Sequence, residues 1–254
     1  MNLIDSHCHL HGDDFGLPIE PVLTAAWAAG VGRMITVGTD VANSRLALEF
    51  AVAHDGVFAV VGIHPGEDPK GTVADLEKII GAKPAKLIGL GDIGLDYHYG
   101  QETRAEQIKL LEAQLDLAAK YDLPVSFHVR EAFADFWPIF DNFSGLRGTL
   151  HSFTDGLSNM EKGLSRGLYI SLNGILTFNH QPELDKVFAT VPLENVLLET
   201  DAPFLAPKPH RGKINQPAYV RDIAAALAAK RGKTIDEIAE ITTNNAQKLF
   251  NMVK

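Results

Sequence analysis

The run Leu3-Ile4-Asp5-Ser6-His7-Cys8-His9-Leu10 sets two imidazoles and a carboxylate at alternate positions. In an extended strand alternate side chains share a face, so His7 and His9 point the same way, with Asp5 behind them and Cys8 opposite. Same-face Cα atoms lie roughly 7 Å apart, which lets two converging imidazoles meet one ion at about 2.0–2.1 Å. Two nearby histidines also arise as ordinary polar rim, so the pair gains meaning only if other strands supply further ligands.

Four further residues qualify: Asp92, His128, His151 and Asp201. With His7 and His9 they make a nitrogen and oxygen donor set too large for a closed tetrahedral structural site, and suited to two ions sharing a carboxylate. Two metals about 3.5–4 Å apart bring the pKa of a bound water near neutrality and clamp the attacking and leaving oxygens of an in-line displacement at phosphorus. The expected reaction is metal-assisted hydrolysis, with Asp201 holding the first ion and accepting the proton of the water.

Around this set stand residues with supporting chemistry. Asp5 and Glu199 share faces with His7 and Asp201, one pleat deeper, where a buried carboxylate is expected to hold a ligand imidazole or an arginine. Glu199 is also within reach of an ion. His64, in Gly62-Ile63-His64-Pro65, either donates to a substrate phosphate or caps the turn that Pro65 begins. Arg130 and Arg211 can pair bidentately with phosphate oxygens, with surface salt bridges as the ordinary alternative. Asp96 is expected to cap the loop after it rather than to bind metal. Tyr97, Phe178 and Phe204 are candidates for stacking a base, against the commoner role of core aromatics.

These residues need elements that bring them together. Short β-branched or apolar runs cover the opening strand, Gly32–Thr39, Val57–His64, Lys86–Leu95, Pro124–Arg130, Arg147–Phe153, Leu168–Asn173 and Val196–Asp201. Helical periodicity marks Glu20–Ala29, Ala42–His54, Val73–Gly81, Thr103–Tyr121, Ala132–Asn142, Asp155–Arg166 and Pro182–Thr190, then Pro217–Lys230, Ile235–Ile241 and Asn245–Met252 in the tail. Eight β-then-α units predict an α/β chain folded as a (β/α)8 TIM barrel with extra C-terminal helices. An open doubly wound sheet would place a glycine-rich phosphate loop after its first strand, where this chain has His-Cys-His. In a barrel the chemistry sits at the C-terminal strand ends. His7, His9, His64, His128 and His151, five of the ten histidines, fall there. His54 and His180 lie on or beside helices, and His11, His98 and His210 in loops.

The totals agree. A chain of 254 residues, 46% hydrophobic, can bury one large core, and no linker divides it, so residues 1–254 are read as a single domain. No signal-peptide core or apolar run of membrane-spanning length appears, which predicts a cytoplasmic protein with no membrane partner; the single cysteine excludes an internal disulfide and agrees with a reducing compartment, and no obligate protein partner is evident. The formal charge of −9 argues against a broad nucleic-acid-binding surface. Bound divalent ions would offset several of the carboxylates, and Lys208-Pro209-His210-Arg211-Gly212-Lys213 gathers positive charge locally.

Asp-Ser-His-Cys-His-Leu at 5–10, Gly-Ile-His-Pro at 62–65, Gly-Asp-Ile-Gly-Leu-Asp-Tyr at 91–97, His-Ser-Phe at 151–153, Leu-Leu-Glu-Thr-Asp-Ala-Pro at 197–203 and Arg-Gly-Lys-Ile-Asn-Gln-Pro at 211–217 together resemble the TatD family of metal-dependent deoxyribonucleases, within the amidohydrolase superfamily. The resemblance implies a barrel with two divalent ions, drawn from Zn, Mn, Mg, Fe or Ni, that hydrolyses phosphodiesters at DNA ends or in single strands. It makes His7, His9 and Asp201 the ligands of a first ion and His128 and His151 those of a second. Asp92 stands where the bridging carboxylate belongs, a catalytic position together with Asp201.

The family pattern usually has Glu where Asp92 stands, which removes roughly 1.5 Å of reach. Metal bonds tolerate only about ±0.2 Å, so the strand end must shift inward, a water must fill the gap, or the second ion must bind weakly. Asp92→Glu is expected to raise or preserve second-ion occupancy. The fifth strand reads His128-Val129-Arg130-Glu131-Ala132 in place of His-Ser-Arg-Asp-Ala, keeping both functional side chains. Two other readings remain: a hydrolase of a small amide, lactone or ester or of aminoacyl-tRNA, and a metal-binding protein without turnover.

Overall fold

In a computed structural model of the chain, residues 1–12 and 15–252 are described. Eight strands form one sheet in the order β1 to β8: β1 Leu3–Cys8, β2 Val31–Val37, β3 Val57–Val61, β4 Leu87–Asp96, β5 Val125–Arg130, β6 Gly148–Leu150, β7 Tyr169–Leu172 and β8 Val196–Leu198. A parallel bridge from Cys8 to Ala202 joins the first strand to the segment leaving the last, so the sheet closes as the TIM barrel that eight β/α units predict. The helices are α1 Ile19–Ala28, α2 Val41–Ala53, α3 Val73–Gly81, α4 Tyr97–Gly100, α5 Arg104–Tyr121, α6 Phe133–Asp141, α7 Leu157–Ser165, α8 Pro182–Thr190, α9 Val220–Arg231 and α10 Ile235–Leu249. Among the described residues no helix is long and apolar enough to cross a membrane.

Contacts divide the chain into two compact units, residues 36–151 and residues 1–35 with 152–254. In the first unit β3, β4, β5 and β6 pair in parallel, and Phe127 of β5, fully buried, packs edge-to-face on Phe136 and Phe140 of α6 at ring distances of 5.2 and 5.7 Å. In the second unit β7 pairs with β8, and every residue of β1 is buried, as a strand covered on both faces requires. The tail helices α9 and α10 belong to this unit. Gly232 in the left-handed region (φ 61°) ends α9, and a capping box between Thr234 and Glu237 starts α10.

Several expectations about element limits need correction, among them the sixth strand, which ends at Leu150, short of His151 and Phe153. The third strand stops at Val61, short of His64, because the next two amides take side-chain acceptors: Gly62 N donates to Ser44 Oγ at 3.1 Å and Ile63 N to Gln114 Oε1 at 2.8 Å. The eighth stops at Leu198, short of Asp201, since Thr200 N is taken by Asp5 Oδ1 at 2.8 Å. The tail segments read as Ile235–Ile241 and Asn245–Met252 are one helix. Thr242 bonds back to Ile238 O, Thr243 reaches Asn2 O and Asn245 reaches Leu193 O and Val196 O, so residues that usually compete with a helix satisfy themselves elsewhere.

Candidate metal centre

In the unit holding both termini, hydrogen bonding between β1 and the segment after β8 continues past the strands. His9 N donates to Ala202 O at 2.7 Å and Asp201 N to His7 O at 2.9 Å. This fixes Asp201, itself left-handed at φ 57°, a region aspartate tolerates better than most residues, beside the two histidines. His7 Nε2 and His9 Nε2 are 3.3 Å apart, and Asp201 Oδ1 stands 3.9 Å from the first and 3.6 Å from the second. Ligands tetrahedrally arranged at about 2.0–2.1 Å from one ion are separated by about 3.3 Å, so the spacing suits a shared cation. Two imidazoles and a carboxylate form a borderline donor set that takes a transition-metal dication.

Of the buried carboxylates behind this nest, Asp5 takes other partners than the expected imidazole or arginine. Its Oδ1 accepts from Thr200 N at 2.8 Å and His7 N at 3.4 Å, and its Oδ2 from Thr200 Oγ1 at 2.6 Å. Burial pushes its pKa up to about 8 against the two Thr200 hydrogen bonds, with Glu199 adding to the rise. Its physical work is to tie β1 to the backbone two residues past β8. Glu199, fully buried, accepts from Ser152 N at 2.7 Å. Burial drives the Cys8 thiol well above its usual range, and its Sγ meets Ile35 O at 3.3 Å, an inert packed position. Nearby, the Arg211 guanidinium lies 3.9 Å over the Phe178 ring and donates to Ala206 O at 2.9 Å, while Phe204 is 61% exposed and meets His9 edge-on at 6.3 Å.

The unit of residues 36–151 carries the other candidates. Asp92 is buried, its Oδ1 3.8 Å from His128 Nδ1, and the His128 and His151 rings lie 6.0 Å apart. The short Asp92 side chain stands within a β-bulge: Leu90 pairs with Val125 and Ile93 with Phe127, so β4 advances three residues while β5 advances two. The chain moves, and the side chain need not be longer. A gap of 3.8 Å is under the roughly 4.2 Å that an ion between two ligands can span.

Asp96 does two things. As expected it caps the following turn, Oδ1 accepting from His98 N at 2.9 Å and Tyr99 N at 3.3 Å; its Oδ2 also takes His128 Nε2 at 3.0 Å. Burial alone would raise this carboxyl, but His128 and the Tyr99 and His98 amides outweigh it and hold it at about 2. The sequence carried no local signal for this contact, which depends on the β4–β5 register that sets Gly94 opposite His128. His64 Nδ1 accepts from Gly66 N at 3.0 Å, which leaves Nε2 of the neutral ring as a donor. Thus His64 both caps its turn and can offer a proton to an anion. Arg130 lies 4.9 Å over the exposed Tyr99 ring, and Tyr97 is held through its hydroxyl to Asp135 at 2.7 Å. A cavity of about 760 Å³ opens beside His64 and Asp96, walled by Glu67, Asp68, Glu102 and Glu106.

His7, Asp96 and His128 lie in the last residues of their strands, and His9, His64, His151 and Asp201 just past theirs, the end at which a TIM barrel carries its chemistry. The family model described as TatD related DNase matches residues 4–251, and the chain belongs to that family. It is 36% identical to the uncharacterized metal-dependent hydrolase YcfH of Escherichia coli K12, over 99% of this chain and 97% of the relative. Identity to the 3'-5' ssDNA/RNA exonuclease TatD of Salmonella typhimurium is 32%, over 99% of this chain and all of the relative. The crystal structure of YjjV, a TatD homologue from Escherichia coli K12, superimposes with a TM-score of 0.92 at 32% identity, covering 98% of each chain.

Proposed function

We propose that the chain is a cytoplasmic deoxyribonuclease, acting as one domain over residues 1–254, that cleaves phosphodiester bonds at DNA ends or in single strands. His7, His9 and Asp201 would hold one divalent ion, His128 and His151 a second, with Asp92 shared between them. Such ions, whether Zn, Mn, Mg, Fe or Ni, supply Lewis acidity that activates a water and neutralises charge on the phosphoryl group. The observation carrying this reading is the spacing of His7, His9 and Asp201, 3.3 to 3.9 Å between donor atoms.

The chain's own residues then divide the work. Asp201, whose side chain is 14% exposed, receives the proton of the attacking water at its carboxylate. The His64 Nε2–H donates to a non-bridging phosphate oxygen, and Arg130 and Arg211, whose guanidinium groups lie over Tyr99 and Phe178, pair with neighbouring phosphates. Phe204 offers its exposed ring to the terminal base. The carboxylates around the cavity beside His64 repel a phosphate chain continuing that way, which favours a strand terminus as substrate.

The same acidic wall favours a second reading, in which the substrate is a small amide, lactone or ester or the aminoacyl ester of tRNA. Purified protein given Mn²⁺ or Mg²⁺ should shorten labelled single-stranded DNA and hydrolyse bis-p-nitrophenyl phosphate. Absence of cleavage with every ion tried, alongside turnover of an ester or lactone panel, would replace the first reading with the second.

A further inference from the structure

We infer that Asp96 is a positioning residue that fixes the tautomer of His128, so that His128 presents Nδ1, and not Nε2, to a divalent ion. This rests on the proposed role of His128 and Asp92 at the second ion and adds to it the ligating atom and the residue that selects it.

A neutral imidazole carries its proton on one nitrogen, and the partner of that nitrogen decides which. His128 Nε2 faces a carboxylate oxygen, Asp96 Oδ2, at 3.0 Å, and an ionised carboxylate only accepts. The proton therefore sits on Nε2, and the lone pair is left on Nδ1, the atom 3.8 Å from Asp92 Oδ1. A carboxylate behind a ligand imidazole both orients the ring and raises its basicity.

The carboxylate is itself held. Oδ1 is occupied by the His98 and Tyr99 amides, and the buried Gln107 clamps the Asp96 backbone from both sides, accepting from Asp96 N at 2.8 Å and donating to Asp96 O at 2.9 Å. Asp96 is thus held by three residues on two helices, its carboxylate by α4 and its backbone by α5, before His128 is considered. An ion bound at His128 Nε2 beside Asp96 would have to displace that proton and its bond to Asp96.

Asp96→Asn separates positioning from folding. Its carbonyl oxygen is drawn to the two amide N–H donors and keeps the cap, which turns the NH2 group toward His128 Nε2 and drives the proton to Nδ1. In apo wild-type protein, long-range ¹H–¹⁵N NMR of the imidazoles should show His128 as the Nε2–H tautomer, and in Asp96→Asn as Nδ1–H, with the melting temperature little changed. Metal titration followed by elemental analysis should show second-ion affinity about 10–100-fold weaker in the variant and first-ion affinity unchanged. A wild-type Nδ1–H tautomer, or anomalous density for an ion bonded to Asp96 itself, would overturn the inference, as would an unaltered second site in Asp96→Asn. Wild-type protein that binds only one ion would defeat the proposed two-ion function instead, while the apo tautomer would still decide the role of Asp96.

Discussion

The Nε2 atoms of His7 and His9 stand 3.3 Å apart with their rings inclined at 72°, an edge-on pair aimed at a single point. Without a cation, one of the two can donate to the other. With one, both lone pairs and Asp201 Oδ1 are used together. Because such a site exists only in the folded chain, ligand binding is folding free energy. Adding Mn²⁺ or Zn²⁺ at about 100 times its dissociation constant should stabilise the protein by about 2.7 kcal/mol, and His7→Ala or His9→Ala should abolish most of that rise. Thermal melts with and without metal measure it; an equal rise in the variants would remove His7 and His9 from the site.

The bulge in β4 makes a second prediction. Asp92 already stands 3.8 Å from His128 Nδ1, so Asp92→Glu adds reach that the backbone has made unnecessary, and occupancy of the second ion should be preserved. Asp92→Ala removes the carboxylate outright and should lower the ion count from two to one or none by elemental analysis. A Glu variant that loses metal while the Ala variant keeps it would reverse the argument.

Gly94 is a third place where sequence and site meet. It pairs with His128 across the β4–β5 ladder, and a Cβ added to it would overlap the His128 carbonyl oxygen and carbon. Backbone, unlike a long side chain, cannot swing away. Gly94→Ala should cost about 3 kcal/mol in urea unfolding, the upper range for overpacking, and should also weaken metal binding, because the strand that carries His128 must move. Wild-type stability in Gly94→Ala would show that the two strands separate freely.

The alternation of strands and helices was readable because each strand is a short buried run and each helix repeats its apolar face, and those patterns depend on nearest neighbours in sequence. The barrel rule alone directs attention to polar residues at the C-terminal ends of the strands. What was hidden depended on partners far away in sequence. The end of β3 is set by Ser44 and Gln114, the end of β8 by Asp5, and the continuity of α10 through Thr242, Thr243 and Asn245 by acceptors on other segments or one turn back. The sequence suggests Asp5 as the holder of an imidazole or an arginine because buried carboxylates near ligands often serve that way; Thr200 instead supplies both a backbone and a hydroxyl donor. Asp96 caps its turn as the sequence predicts, but a carboxylate has two oxygens, and only the fold could place the second one at His128.

The start of α10 supplies a pH prediction. Glu237 Oε2 accepts from Thr234 N at 2.8 Å and from Thr234 Oγ1 at 2.9 Å, and Lys233 Nζ reaches Oε1 at 3.0 Å. The Thr234 amide first, then Lys233 and the Thr234 hydroxyl, hold its carboxyl at about 2, below its usual 4.5. A carboxyl lowered on folding binds fewer protons in the native state than in the unfolded one. Its contribution is therefore complete above pH 4.5 and declines as the pH falls toward about 2. Glu237→Gln, which keeps a carbonyl oxygen for the Thr234 amide but carries no charge, should unfold at lower urea than wild type at pH 7. The gap should narrow steadily through that acid window. Salt should narrow it at pH 7 as well, because the carboxylate and Lys233 meet at the surface. A gap of constant size from pH 7 down to pH 3 would mean that the capping geometry, and not the charge, carries the effect.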